Sequence, residues 1–332
     1  MLQALSRIGR RRTLQVCAAL VVVLGLLLWW LLPLGEPAPR GTLTFSTGVR
    51  SGVYQRYGER LQGDLAKDLP QVSIRLLTSE GSQQNIERVA TGKADFTIAT
   101  ADALATYLRS GKPGADRLRG CVRLYDDYIQ LVVPRDSEVR KVADLAGKRV
   151  GVGQPGSGVR LVADRVMTAA GLDPVNDVKA SPDGIDTVPR KLENGLLDAF
   201  FWSGGLPTSA VQELSDRFAI RLVPLESALV KELQAVGGSA RYYRSALMPA
   251  DAYRKAQQGQ GVPTVAVANV LVTTDRTDPA MTEAFTRTVI DSRDRIGREV
   301  HAAQLVDLRT AIYTDPLPLH EGAKRYYQSV KP

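Results

Sequence analysis

Downstream of residue 40 the chain alternates between short apolar runs and stretches with an apolar residue every third or fourth position, which predicts strands followed by helices. Residues 43–45 read as a strand, and Tyr54, Tyr57, Leu61 and Leu65 mark one face of a helix over 54–67. Val72, Ile74 and Leu76 alternate as a strand over 72–77. A helix over 83–90 stops at Thr91-Gly92, a buried-type strand covers 96–100, and a helix over 101–108 is broken by Gly111-Lys112-Pro113-Gly114. A strand over 129–133 ends at Pro134, and another covers 150–152. A helix over 159–170 is closed by Gly171, and a further helix ends at Asn194-Gly195. Residues 198–202 form a strand, Pro207 suits the first turn of the next helix, 264–272 is a strand, and the chain from 281 on is helical.

Two stretches of this pattern match each other. Ser51-Gly52-Val53 and Ser157-Gly158-Val159 are 106 residues apart, and the turns Gly92-Lys93-Ala94-Asp95 and Gly195-Leu196-Leu197-Asp198 are 103 apart. Order and spacing agree, which reads as one α/β lobe used twice. The strand over 129–133 carries the chain from the first lobe to the second, and the strand over 264–272 returns it. Lobe one is then 42–128 with 264–332, and lobe two is 129–263. Two lobes joined by two crossings describe a hinged α/β binding fold with a central cleft.

In open α/β sheets ligands sit beyond the carboxyl ends of the strands. Four strand–loop–helix junctions meet that condition. The first supplies Thr47, Gly48, Arg50, Ser51, Gly52, Val53 and Tyr54; the second supplies Thr78, Gly81, Ser82 and Asn85. The third supplies Ser157, Gly158 and Val159, and the fourth Trp202, Ser203 and Gly204. Hydroxyls, unpaired backbone N–H groups and positive helix ends suit a small anionic or zwitterionic ligand; the same glycines and serines also suit plain turns and caps. Arg50 and Arg160 are placed to fork onto a carboxylate or to lie in solvent. Asp102 stands where it takes a ligand ammonium or caps the helix after it.

Composition narrows the class. The net charge of +8 includes four arginines, Arg7, Arg10, Arg11 and Arg12, with no acid in residues 1–35, leaving +4 on the rest. That is no nucleic-acid footprint. With Cys17 and Cys121 as the cysteines and His301 and His320 as the histidines, neither a disulfide nor a metal centre is expected, and no cofactor is implied. No nucleophile elbow or partnered histidine points to catalysis, so the chain reads as a non-enzyme. Residues 16–32 carry no charge. The arginines before them put a basic segment, 1–13, in the cytoplasm, with a signal anchor or cleaved signal peptide over 14–34, a linker over 35–41, and the remainder outside the cell membrane. Cleavage and retention are both open.

The ordered motifs resemble the TAXI family of solute receptors, the extracytoplasmic binding proteins of one class of TRAP transporters. The likeness rests on Thr47-Gly48 with Ser51-Gly52-Val53-Tyr54, Thr78 with Gly81-Ser82 and Asn85, Gly92 with Asp95, and Asp102. It continues through residues 144–150, Gly153, Gly156-Ser157-Gly158, Asp198-Ala199-Phe200, Gly205-Leu206-Pro207, and Pro318-Leu319-His320-Glu321-Gly322-Ala323 with Tyr326-Tyr327. The resemblance implies a periplasmic-binding-protein type II fold, a cleft ligand such as glutamate, another amino acid or an organic acid, and delivery to TRAP membrane subunits. Arg50, Gln55 and the Trp202-Ser203 pair depart from the family pattern, which makes a changed ligand plausible. The alternative is a membrane-tethered ligand sensor or interaction module without a transport role.

Overall fold

The computed structural model describes residues 15–27 and 39–330. Residues 15–27 form an exposed helix, α1, in a unit of its own that spans Met1–Ala38. No helix among the described residues is long and apolar enough to cross a membrane. The basic positions expected over 1–13, most of the linker and the remainder of the apolar segment expected over 14–34 lie outside the described residues.

The second unit, Pro39–Pro332, is organised on a ten-stranded mixed sheet. In one half, β1 (Gly41–Ser46) lies between β2 (Val72–Leu77) and β3 (Phe96–Thr100), all parallel. The helices α2 (Val53–Asp68) and α3 (Ser82–Ala90) make the crossovers, and α4 (Ala101–Arg109) follows β3. Leu61 and Leu65 are almost wholly buried beside Tyr57 on the inner face of α2, and each leucine contributes about 1.5–3 kcal/mol. The helix stops at Leu69, which precedes Pro70 and leaves the helical region at φ −128°. All five residues of β3 are buried because both faces of the sheet are covered.

The centre of the sheet is β4 (Leu118–Pro134), 17 residues long against the five expected over 129–133. Its first part pairs antiparallel with β10 (Val262–Thr274), and its last part with β7 (Ala199–Gly204) and β8 (Ile220–Val223). The second half-sheet places β5 (Arg149–Gly151) between β6 (Lys179–Ser181) and β7, again parallel. Helices α5 (Gly158–Ala169), α6 (Val188–Glu193), α7 (Ser209–Arg217) and α8 (Ser227–Ala235) surround it. The edge strand β9 (Arg244–Met248) and short α9 (Arg254–Gln257) lead back to β10. Then α10 (Pro279–Asp291), α11 (Arg293–Gly297), α12 (Leu308–Ala311) and α13 (Glu321–Ser329) return to the first half, where Phe285 stacks on Phe96 at 4.2 Å. Helix α7 begins at Ser209 with Thr208 as its cap, so Pro207 precedes the helix instead of opening it.

The matched turns do the same job in both halves. Asp95 Oδ2 accepts the Thr44 N–H at 2.7 Å, and the Asp95 N–H donates to the Thr44 carbonyl at 2.9 Å. Asp198 Oδ2 accepts the Arg149 N–H at 2.7 Å, and the Asp198 N–H donates to the Arg149 carbonyl at 2.8 Å. Each aspartate thus staples the approach to one strand onto its parallel neighbour, after a glycine at positive φ (Gly92, 76°; Gly195, 66°) has ended the helix.

Candidate functional site

Where the two half-sheets face each other, loops at the ends of β1, β2, β5, β6 and β7 enclose a cavity of about 50 Å³, room for roughly three to five waters. Gly48, Gly52, Val53 and Tyr54 line it from the first junction, and Gly81 and Ser82 from the second. Ser157, Gly158 and Val159 line it from the third, and Trp202, Ser203 and Gly204 from the fourth.

Two helix N-termini meet at this cavity. Gln84 N–H of α3 donates to the Gly156 carbonyl at 3.1 Å, and Gln83 Nε2 donates to the Ser157 carbonyl at 2.7 Å, so α3 and α5 are tied end to end. Gly81 makes this approach at φ 128°, where a Cβ would stand 3.4 Å from the Ser157 Cα. The Ser157 hydroxyl caps α5 by accepting the Arg160 N–H at 3.0 Å, whereas α2 and α3 begin at Gly52 and Gly81 without a side-chain cap. The first turns of α2 and α3 therefore carry N–H groups without a side-chain cap, and the helix dipoles favour negative charge. The Thr100 hydroxyl stands beside them: it is buried, lines the cavity and has no hydrogen-bond partner among the described residues. A Cβ on Gly158 would lie 3.7 Å from it.

The opposite chemistry comes from Asp127, which sits where β4 passes from β10 to β7. Asn269 on β10 donates to its Oδ1 at 2.7 Å, and Ser203 on β7 donates to its Oδ2 at 3.1 Å. The Tyr54 hydroxyl donates to Asn269 Oδ1 and lies 3.1 Å from the Ser82 hydroxyl. Burial pushes the Asp127 carboxyl up to about 7; Asn269 and Ser203 pull it down, and Asp126 and Asp102 add to the rise. Burial and then the Asp127 charge hold the Tyr54 phenol well above its ordinary value. Glu80 and Asp183 also line the cavity, and Asp183 is paired with Lys191 at 2.6 Å. No lysine, arginine or histidine is among the lining residues.

Seven of the expected residues are placed elsewhere. Thr47 turns inward: its hydroxyl donates to Gln55 and its carbonyl accepts from Ser79 and Asn85. Asn85 is fully buried, receiving the Ser46 hydroxyl and donating to the Thr47 and Ile98 carbonyls, so its amide braces the loop from behind. Ser51 reaches across to Asp186 through its N–H and hydroxyl, outside the cavity. The cap of α2 falls on Gly52, so Ser51 does not do what Ser157 does, despite the matched triplets. Arg50 and Thr78 are exposed away from the lining. Asp102 faces α5 instead, accepting Arg165 at 3.2 Å and the Tyr243 hydroxyl at 2.6 Å. Arg160 pairs with Asp164 along its own helix at 2.8 Å.

Sequence reading missed Thr100, Asp127 and Gly184 as lining residues. Thr100 is the last residue of β3, a carboxyl-end position that the strand boundary already marked. Asp127 carried no such signal, because the adjacent Asp126-Asp127 looks like a break in a strand.

This topology and cleft define an α/β fold of two half-sheets joined through the long strands β4 and β10. The NMT1-like family matches over residues 45–330, and the chain belongs to that family. Solved structures similar to it include the periplasmic aliphatic sulphonate binding protein SsuA of Escherichia coli, 14% identical over 89% of this chain and 84% of that one, TM-score 0.47. A putative L-cystine ABC transporter protein of Listeria monocytogenes is 15% identical over 80% and 98%, TM-score 0.49. An ancestral arginine-binding protein bound to arginine is 16% identical over 78% and 98%, TM-score 0.49.

Proposed function

We propose that the chain is an extracytoplasmic solute receptor that holds a small carboxylate or amino acid between two lobes, 42–128 with 264–332 and 129–263. It is a binding protein and not an enzyme. The observation that carries the reading is the buried, unpartnered Thr100 hydroxyl beside the abutting N-termini of α3 and α5. A buried hydroxyl without a partner costs about 1–3 kcal/mol, and a ligand oxygen placed there removes that cost while facing the positive ends of the two helices. In this reading Gly48, Gly52, Tyr54, Gly81, Ser82, Ser157, Gly158, Val159, Trp202, Ser203 and Gly204 contact the ligand, and Thr47 and Asn85 brace the loop that does so.

The contacts of Ser51 with Asp186, Gln83 with Ser157, and Arg56 with Ser209 cross between the proposed lobes, which supports a closed arrangement. Delivery to TRAP-type membrane subunits is supported by the TAXI-like motif order. A signal or anchor over 14–34 would keep the receptor on the outer side of the membrane. The test is a thermal-melt panel on the purified full-length chain with L-glutamate, L-glutamine, dicarboxylates and 2-oxo acids. Stabilisation by one of them is expected, since a ligand that binds only the folded form raises the melting temperature. A flat response to all of them overturns the reading.

A further inference from the structure

The geometry points to Asp127 as the residue that selects a solute bearing a protonated amine, so that amine-free acids of the same length are rejected; this rests on the solute-receptor reading above. The argument starts from charge. The cavity is lined by Asp127, Glu80 and Asp183 and by no cation. Lys191 compensates Asp183, and Glu80 is exposed at the edge. Asp127 is different: it is 3% exposed, faces the cavity and is held by two neutral donors, Asn269 and Ser203. A buried carboxylate without a cation is costly, and a ligand ammonium is the group that would relieve it. A second carboxylate on the ligand would instead meet like charge.

The arrangement also fixes direction. Asn269 spends its amide on Asp127 and its carbonyl on Tyr54, while Ser203 donates from the other side. The carboxylate is therefore clamped from β10 and β7, and each oxygen keeps capacity for a further donor. The N-terminal turns of α3 and α5 and the Thr100 hydroxyl lie at the α3–α5 junction, which takes the acidic end of the solute. A bipolar solute satisfies both ends; a dicarboxylate satisfies one. Burial already pushes the Asp127 carboxyl up to about 7, and a bound ammonium would pull it back down.

Matched pairs test this on the full-length chain: L-glutamate against glutarate, 4-aminobutyrate against butyrate, and 2-aminoethanesulfonate against ethanesulfonate, read by calorimetry and thermal melting. The amine-bearing member of at least one pair is expected to bind at least tenfold tighter than its partner, and Asp127→Asn is expected to remove that preference. In every pair that binds, an amine-free member that binds as well as its amine counterpart overturns the proposal and leaves the receptor reading standing. A preference that survives in Asp127→Asn also overturns it. Silence from every compound overturns both. The wild-type pairs decide the matter even if the variant fails to fold.

Discussion

The side-chain amide of Asn269 donates to the Asp127 carboxylate at 2.7 Å, joining the two long strands at the point where β4 leaves one half-sheet for the other. The ladder between β4 and β10 shifts register between Ala268 and Val270, that is, at Asn269 itself. Such irregularities re-aim a side chain. Here the amide serves two masters: one face holds Asp127, the other accepts the Tyr54 hydroxyl from α2.

Asn269→Ala should therefore cost more than a surface change. Asp127, which is almost fully buried, loses its shortest donor, and Tyr54 keeps only Ser82. The expected loss is about 1–3 kcal/mol, seen as a lower urea midpoint with an unchanged slope. A midpoint equal to wild type would mean that the bond contributes nothing to the fold.

Asp127 also sets a pH dependence. Its folded pKa, about 7, lies above the unfolded value near 3.9. Between those values the folded chain holds a proton that the unfolded chain has lost, so this group's contribution to stability falls as pH rises from about 4 to about 7 and is level above. Tyr54, Tyr125, Asp126 and Asp102 are the titratable groups around it, with Asp126 paired to Arg123 and Arg244. His320 works the other way. Burial lowers its pKa while Nδ1 accepts the Gly322 N–H, so its contribution is lost as pH falls below about 6.5. Comparing wild type with Asp127→Asn isolates the carboxylate. The variant should gain on wild type by on the order of 2–4 kcal/mol between pH 4 and pH 8, and parallel curves would rule the shift out.

The parallel strands and their helices were legible because each follows the rule of its element. Val72, Ile74 and Leu76 alternate, and Tyr57, Leu61 and Leu65 share one helical face, so β2 and α2 fall where the pattern puts them. The Gly-x-x-Asp repeat was legible because the turn and its staple are local in sequence. β4 was not legible as 17 residues, since Asp126 and Asp127 lower strand propensity. Arg123 and Arg244 hold the first, and Asn269 and Ser203 the second, contacts from as far as 142 residues away. For the cleft, chemistry written in loops could be read, while the direction of a side chain could not. Asp102 turns to Arg165 and Tyr243, and Ser51 to Asp186, because partners from distant elements compete for them.

Arg165 on α5 is the centre of that competition. It donates to Asp102 and Tyr243 through one terminal nitrogen and to Thr106 and Ser239 through the other. Arg165→Met strips these donors and leaves the Asp102 carboxylate, 1% exposed, with only the Tyr243 hydroxyl. The cost expected is about 3 kcal/mol, since one partner of a buried pair is gone. Asp102→Leu combined with Arg165→Met should recover much of it, because no charge is then stranded. A double variant as unstable as the sum of its parts would show that the pair is not coupled.

Thr100→Val separates binding from folding more cleanly than any other change. Valine keeps the shape of threonine and deletes the hydroxyl. Since that hydroxyl has no partner among the described residues, the substitution removes a desolvated polar group and breaks nothing; the β3 position, paired opposite Asn269, also favours a β-branched residue. Stability should hold or rise by up to about 1 kcal/mol in urea denaturation. Under the proposed receptor function affinity should move the other way, because a ligand oxygen at the α3–α5 junction would lose a donor. A neutral hydrogen bond of about 1 kcal/mol corresponds to roughly fivefold, and one to a charged carboxylate, about 1.5–3 kcal/mol, to tenfold or more. Titration calorimetry with whichever solute stabilises the wild type measures it. Unchanged affinity would place the ligand away from Thr100 and detach the acidic end of the solute from the two helix N-termini.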